Sequence, residues 1–288
     1  MHLTEAKGIL SAQNGMNLYR GCTHGCIYCD SRSKCYGFTH DFEDIEVKIN
    51  APELLERALR GKRNKCVIGT GAMCDPYMPI EQTLGLTRKC LEIIDRYGFG
   101  ATIQTKSPLF LRDLDLLEKI NRKAKAVVQM TLTTHEEALC RILEPHVACT
   151  AERVKALEVC RERGIPTVVW MTPILPFIND TEENIRALLE DCVRLKVKAI
   201  ICFGMGVTLR EGDREYFYAA LDRHFPGMKQ RYIRTYGNAY EVMSPDNDRL
   251  MEIFTDICRE NDILYKPEDC FGYLHAFPVR QEQISMFD

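Results

Sequence analysis

The middle of the chain alternates between two hydrophobic periods, and that alternation limits its folds more than any other feature. Short runs rich in β-branched residues recur at "CVIGTG" (66–71), "GATIQT" (100–105), "AVVQMTLT" (126–133), "PTVVWMTP" (166–173) and "KAIICFGMG" (198–206). Between them lie "PIEQTLGLTRKCLEIIDRYG", "LFLRDLDLLEKINRK", "TAERVKALEVCRERG" and "TEENIRALLEDCVRLK", whose apolar residues return every three or four positions, as one helix face requires. Strand, helix, strand at a pitch of roughly 30 residues predicts right-handed crossovers and a parallel sheet. "MNLYRG" (16–21) reads as an earlier, sixth strand. Six strands are too few for a closed eight-stranded barrel. They suit an open, partial barrel or a doubly wound sheet, and in both the function gathers at the C-terminal ends of the strands.

Local signals mark the element ends. Thr134 with Glu137 and Asp180 with Glu183 read as capping boxes at helix starts. Gly98 and Gly164 stand where helices should stop. After residue 210 the rhythm changes, and "REYFYAALDRHFPGM" and "PDNDRLMEIFTDICREN" read as helices packed on the barrel, the second capped by Ser244. The expected division is a barrel over 1–210, a helical extension over 211–275 and a loose tail over 276–288.

The chain has 14 cysteines in 288 residues and a net charge of −3. Secreted disulfide scaffolds are usually shorter. Neither a long apolar leader nor a membrane-spanning run stands out, so the expectation is a cytoplasmic protein, off the membrane, whose cysteines mostly serve as small buried hydrophobes. A pI near 6.2 excludes a broad basic nucleic-acid footprint.

Three of those cysteines are not dispersed. "YRGCTHGCIYCD" (19–30) places Cys22, Cys26 and Cys29 in one short loop after the first strand. Structural zinc usually takes four protein ligands, often as two short pairs, and no second pair follows here. Three thiolates can hold three irons of a 4Fe–4S cluster and leave the fourth open to a small molecule.

This loop, an aromatic residue before its third cysteine included, resembles the radical S-adenosylmethionine (SAM) superfamily with its partial (β/α)6 TIM-like barrel. "GTGAMCDPYMPIEQTLGLTRKCLEII", "QTKSPLFLRDLDLL", "MTLTTHEEALCRILEP" and "ERVKALEVCRERGIPTVVWMTPILPFIND" extend the resemblance, over roughly residues 6–210, to the spore photoproduct lyase-related family of DNA repair photolyase-like proteins. The resemblance implies a 4Fe–4S cluster on Cys22, Cys26 and Cys29, S-adenosylmethionine as second cofactor, and a flavodoxin- or ferredoxin-like electron donor. It implies reductive cleavage of S-adenosylmethionine to a 5′-deoxyadenosyl radical, which takes a hydrogen atom from the substrate. Tyr28, Gly69, Thr70, Gly71, Lys106 and Thr131 match positions at the family's cofactor site. Cys74 matches the lyase cysteine that returns a hydrogen atom to the product radical. Asp30 stands where the lyases carry a tyrosine, and "RYIRTYGNAY" (231–240) is only a loose echo of their DNA-gripping segment.

The resemblance implies a nucleic-acid base, in DNA, as the first expected substrate, while these two departures count against the spore lesion itself. A peptide or small molecule is the alternative, and a non-catalytic, metal-stabilised interaction protein is a third reading. His24 is expected to shape the cysteine loop, His135 to sit at a helix start, and Glu144 has no assigned role. At the tail, Gln283, Ile284, Ser285, Met286 and Phe287 resemble the peptide by which bacterial repair proteins dock on the sliding clamp.

Overall fold

A computed structural model describes residues 1–278. The sliding-clamp-like peptide at 283–287 lies outside the described residues.

Six parallel strands form one sheet in the order of their sequence: β1 (Gly15–Met16), β2 (Val67–Thr70), β3 (Gly100–Thr105), β4 (Ala126–Thr131), β5 (Thr167–Trp170) and β6 (Ala199–Ile201). Each strand pairs with the next, from Gly15 opposite Gly69 to Trp170 opposite Ile201. A doubly wound sheet reverses its strand order at a switch point; this one never does. The fold is the open, partial (β/α)6 barrel. Helices Ala51–Gly61, Leu86–Tyr97, Leu114–Lys123, Thr150–Glu162 and Glu182–Leu195 carry the chain between strands.

Side-chain alternation separates two faces. Val128, Met130, Val169 and Ile200 point outward into the main core with Leu91, Leu117, Leu157 and Leu188 of the helices. Val127, Val168, Ala199 and Ile201 point inward, and Cys270 and Leu274 of the helix Pro267–His275 cover them. A parallel bridge from Leu264 to Ala199 extends the sheet beyond β6. The C-terminal extension thus reaches into the lumen as well as lying on the barrel's outside.

Two predicted strands are shorter than expected. The run 16–21 splits: Met16 ends β1, while Tyr19–Arg20 pairs with Glu46–Lys48 in a separate sheet with His2–Thr4. The cysteine loop therefore leaves this small sheet, beside the barrel. The run 198–206 also divides, because Gly206–Thr208 turns away to pair with Glu241–Met243. A side chain at Gly206 would meet the Val242 carbonyl at 2.6 Å, so the close pairing depends on glycine there.

Helix starts fall later than the capping signals suggested. Thr181, not Asp180, caps Glu182–Leu195 by accepting from Asn184 N–H. Asp180 instead accepts from the Ser244 hydroxyl, and the last long helix begins at Asn247. The helix Glu137–Leu143 follows Glu136, with Thr134 Oγ1 accepting from Glu136 N–H. Gly98 and Gly164 do end their helices, both with positive φ. Of the 11 cysteines outside the loop, all but Cys35 and Cys66 are buried, and none is in a disulfide.

Candidate functional site

The cysteine loop is shaped by two glycines. Gly21 and Gly25 have positive φ, and a side chain at Gly21 would meet the Phe42 carbonyl at 2.3 Å. The same carbonyl accepts from Cys22 N–H at 3.1 Å. Across the loop, Ile27 N–H donates to Leu143 O and His146 N–H to His24 O. So held, Cys22, Cys26 and Cys29 all face one cavity of about 100 Å³ at the C-terminal ends of the strands. Burial pushes the Cys26 thiol up to about 12 and the Cys22 thiol well above its ordinary value, so binding iron as thiolates would release protons.

The spacing of the sulfurs bears on the metal. Ligands to a single tetrahedral zinc stand about 3.8 Å apart when its Zn–S bonds are about 2.3 Å. Among the described residues, only His2, His40 and Asp44 bring three such ligand atoms within 4.8 Å of one another. The sulfurs of Cys22, Cys26 and Cys29 are not all gathered within that distance.

The opposite wall comes from β2, β3 and β4. Gly71 has φ +101°, and a side chain there would meet the Gln104 carbonyl at 2.0 Å, so only glycine lets this backbone reach the cavity. Gly71, Ala72 and Met73 line it; Gly69 and Thr70 do not. Those two face a lower cavity of about 280 Å³ in the lumen, with Thr102, Gln129 and Leu274. The expected contribution of Gly69 and Thr70 therefore shifts two residues along the chain, because β2 ends at Thr70.

Lys106 and Thr131 both line the cysteine cavity. They also line a wider cavity of about 540 Å³ that shares Cys29 and Gln104 with it and adds Tyr28, Asp30, Tyr36, Trp170 and Phe203. Burial pulls the Lys106 pKa down, but Cys26 and Glu144 outweigh it and the net shift is upward. The ammonium lies 5.9 Å from the Tyr28 ring centroid. Cys74 lines the smaller cavity only; its buried thiol donates to Tyr19 O at 2.8 Å, and burial pushes it up to about 12.

Two residues without a sequence assignment organise this wall. Asp75 accepts from Thr105 Oγ1, Lys106 N–H and Tyr77 N–H, all within 2.8 Å, and stands 3.5 Å from His24 Nδ1. Burial lowers the pKa of His24, against the raising influence of Asp75. Glu144 accepts from the Tyr28 hydroxyl and from Arg153, both fully enclosed contacts. Arg153 also donates to Ala148 O at 2.8 Å and Thr131 O at 3.0 Å. One buried carboxylate–guanidinium pair thus ties the residue before Cys29 to the end of β4. His135 is exposed and paired with Asp191 instead, away from the cysteines.

At the mouth, Asp30 accepts from Tyr36 OH at 2.8 Å and pairs with Arg210 at 3.3 Å. Arg210 in turn donates to Tyr240 OH. Tyr232 and Tyr236 of the same segment are tied inward, to Pro176 O and Met243 O. Phe203, 55% exposed, packs edge-on to Trp170 at 6.2 Å and stacks on Phe271 at 6.3 Å. The shelf's one mark in the sequence is the chain's single tryptophan, at the end of a strand, which carried no functional expectation.

Comparison with known proteins bears on the family and the fold. The family model described as the Radical SAM superfamily matches residues 16–192. An uncharacterized protein of Methanocaldococcus jannaschii is 34% identical over 176 residues, covering 60% of this chain and 65% of that protein. An uncharacterized protein of Mycobacterium bovis is 27% identical over 234 residues, covering 77% and 66%. The chain thus spans about two thirds of these relatives' length. A spore photoproduct lyase variant with bound AdoMet and dinucleoside spore photoproduct superposes with a TM-score of 0.63 over 86% of this chain and 74% of that one, at 13% identity, a likeness of fold.

Proposed function

Because the chain belongs to the radical SAM superfamily, we propose that this enzyme holds a 4Fe–4S cluster on Cys22, Cys26 and Cys29, binds S-adenosylmethionine beside it, and acts on a nucleic-acid base in the wide cavity. The observation that carries the reading is the shared wall: Cys29, Gln104, Lys106 and Thr131 border both the cysteine cavity and the wide one. When bound, the cluster and S-adenosylmethionine supply a 5′-deoxyadenosyl radical by reductive cleavage, with the electron from a flavodoxin- or ferredoxin-like donor.

The chain's own residues do the rest. Cys22, Cys26 and Cys29, as thiolates, would hold three irons of the cluster and leave the fourth for the cofactor. The Lys106 ammonium, at the shared wall, complements the cofactor's carboxylate. Gly71, having no side chain, packs its backbone against the Gln104 carbonyl, and the backbone from Gly71 to Met73 would then border the cofactor. Trp170 and Phe203 offer an aromatic face on which a planar base can stack. The bound dinucleoside in the lyase of similar fold supports the choice of a base. One observation favours the second reading, a peptide or small-molecule substrate. The mouth mixes Asp30 and Glu241 with Lys106, and Arg210 is engaged by Asp30, so it lacks the positive field of a nucleic-acid groove.

Anaerobic reconstitution with iron and sulfide, followed by dithionite reduction, is expected to yield 5′-deoxyadenosine. A full cluster without that product would overturn the enzymatic reading. Single-stranded oligonucleotide is expected to bind the reconstituted protein, and Phe203→Ala to weaken it by about 1–3 kcal/mol, roughly 5- to 150-fold. Oligonucleotide affinity unchanged by that substitution would reject the base as substrate.

In this proposal Cys74 returns a hydrogen atom to the product radical from the cluster side of the chamber. Cys74→Ala is then expected to change the products formed per 5′-deoxyadenosine, measured by mass spectrometry. An identical product distribution would remove the donor role.

A further inference from the structure

A second set of metal-binding side chains lies on the small sheet, and the cysteine chemistry does not use it. One ligand atom from each of His2, His40 and Asp44 falls within 4.8 Å of the others. Glu46 Oε2 stands 3.8 Å from His40 Nε2. The tautomer of His40 follows from its neighbour: Nδ1 lies 2.9 Å from the Asp41 carbonyl oxygen, which can only accept, so Nδ1 carries the hydrogen. Nε2 is buried and without a hydrogen-bond partner, with the Glu46 carboxylate beyond hydrogen-bond reach. A buried nitrogen left unpartnered beside a carboxylate costs desolvation energy. A cation between them removes that cost. Metal-bound imidazoles also commonly donate their other N–H to a backbone carbonyl, as His40 does here.

We propose that His2, His40 and Asp44, with Glu46 as fourth ligand, form a divalent-metal site of the zinc class. Two imidazoles and two carboxylates suit zinc; calcium and magnesium take oxygen ligands. His2 and Asp44 have side chains 40% and 41% exposed, which leaves a path for entry. Two cations already touch the carboxylates and would have to yield or share: the Met1 amino group, 2.7 Å from Asp44 Oδ1, and Arg20, 3.8 Å from Glu46 Oε2. The ligands His40 and Asp44 flank Phe42, whose carbonyl holds Cys22 N–H. A bound ion therefore braces the cysteine loop from behind.

The test uses the full chain with its cluster reconstituted, dialysed anaerobically against micromolar zinc. The expected result is one zinc per chain beyond the cluster's iron, with a zinc X-ray absorption shell of nitrogen and oxygen at about 2.0–2.2 Å. His40→Gln and Asp44→Asn are each expected to lose that zinc while keeping their iron. No zinc on the wild-type chain, sulfur in the zinc shell, or equal zinc on both variants would overturn the site. Should a variant lose iron as well, the wild-type absorption spectrum decides alone: a shell with two imidazoles supports the site, and any other shell overturns it.

Discussion

Arg153→Met is expected to lower the unfolding free energy by about 3–5 kcal/mol, read from urea denaturation near neutral pH. Both side chains of the Arg153–Glu144 pair are fully buried, and removing one partner leaves the other charge in a medium that cannot solvate it. The loss reaches further than one ion pair, because Arg153 also satisfies the Ala148 and Thr131 carbonyls. A companion change, Glu144→Gln with Arg153→Met, is expected to recover part of the loss by removing the stranded charge. The pH dependence has a definite sign. Burial alone would raise the Glu144 pKa, but Arg153 and Lys106 outweigh it and hold it below the ordinary glutamate range. A depressed carboxylate contributes stability that is present above its unfolded-state pKa and lost as pH falls through the lower folded value. Without Arg153 the carboxyl protonates more readily, so the penalty should shrink as pH falls through the glutamate range. A penalty that stays constant there would show that Glu144 is not charged in the fold.

Cys26→Ala should have the largest effect on activity. Cys26 is the buried middle cysteine of the loop, and on the proposed ligation its loss leaves two thiolates for the cluster. Iron content after reconstitution is expected to fall from about four atoms per chain to below one, and 5′-deoxyadenosine to fall to background. The contrast with Cys74→Ala is informative, since both thiols line the same cavity. Only the loop cysteine should remove iron. Full iron in Cys26→Ala would mean that the cluster sits elsewhere.

What was legible in the sequence was what repeats locally. The βα rhythm placed Gly100–Thr105 at its observed bounds, and the cysteine spacing located the loop. What was not legible depends on contacts distant in sequence. Tyr28 and Glu144 are 116 positions apart, so no periodicity could pair them. Arg153 did leave a trace, a charge on the same helix face as Leu157 and Cys160, where a purely apolar stripe would be expected. Gly69 and Gly71 look alike as letters, but β2 ends between them, at Thr70, and they border different cavities. The run 16–21 misled because Tyr19 and Arg20 have as much strand character as Met16 and differ only in which partner they meet.

The helix Pro267–His275 covers the inner faces of β4, β5 and β6 with Cys270 and Leu274. Ending the chain after Lys266 would bare Val127, Val168, Ala199 and Ile201 to water from inside the barrel. On the proposed ligation, dioxygen would then gain a second approach toward the cysteine cavity. The helix would in that case bear on how long the protein survives in air, as well as on how well it packs.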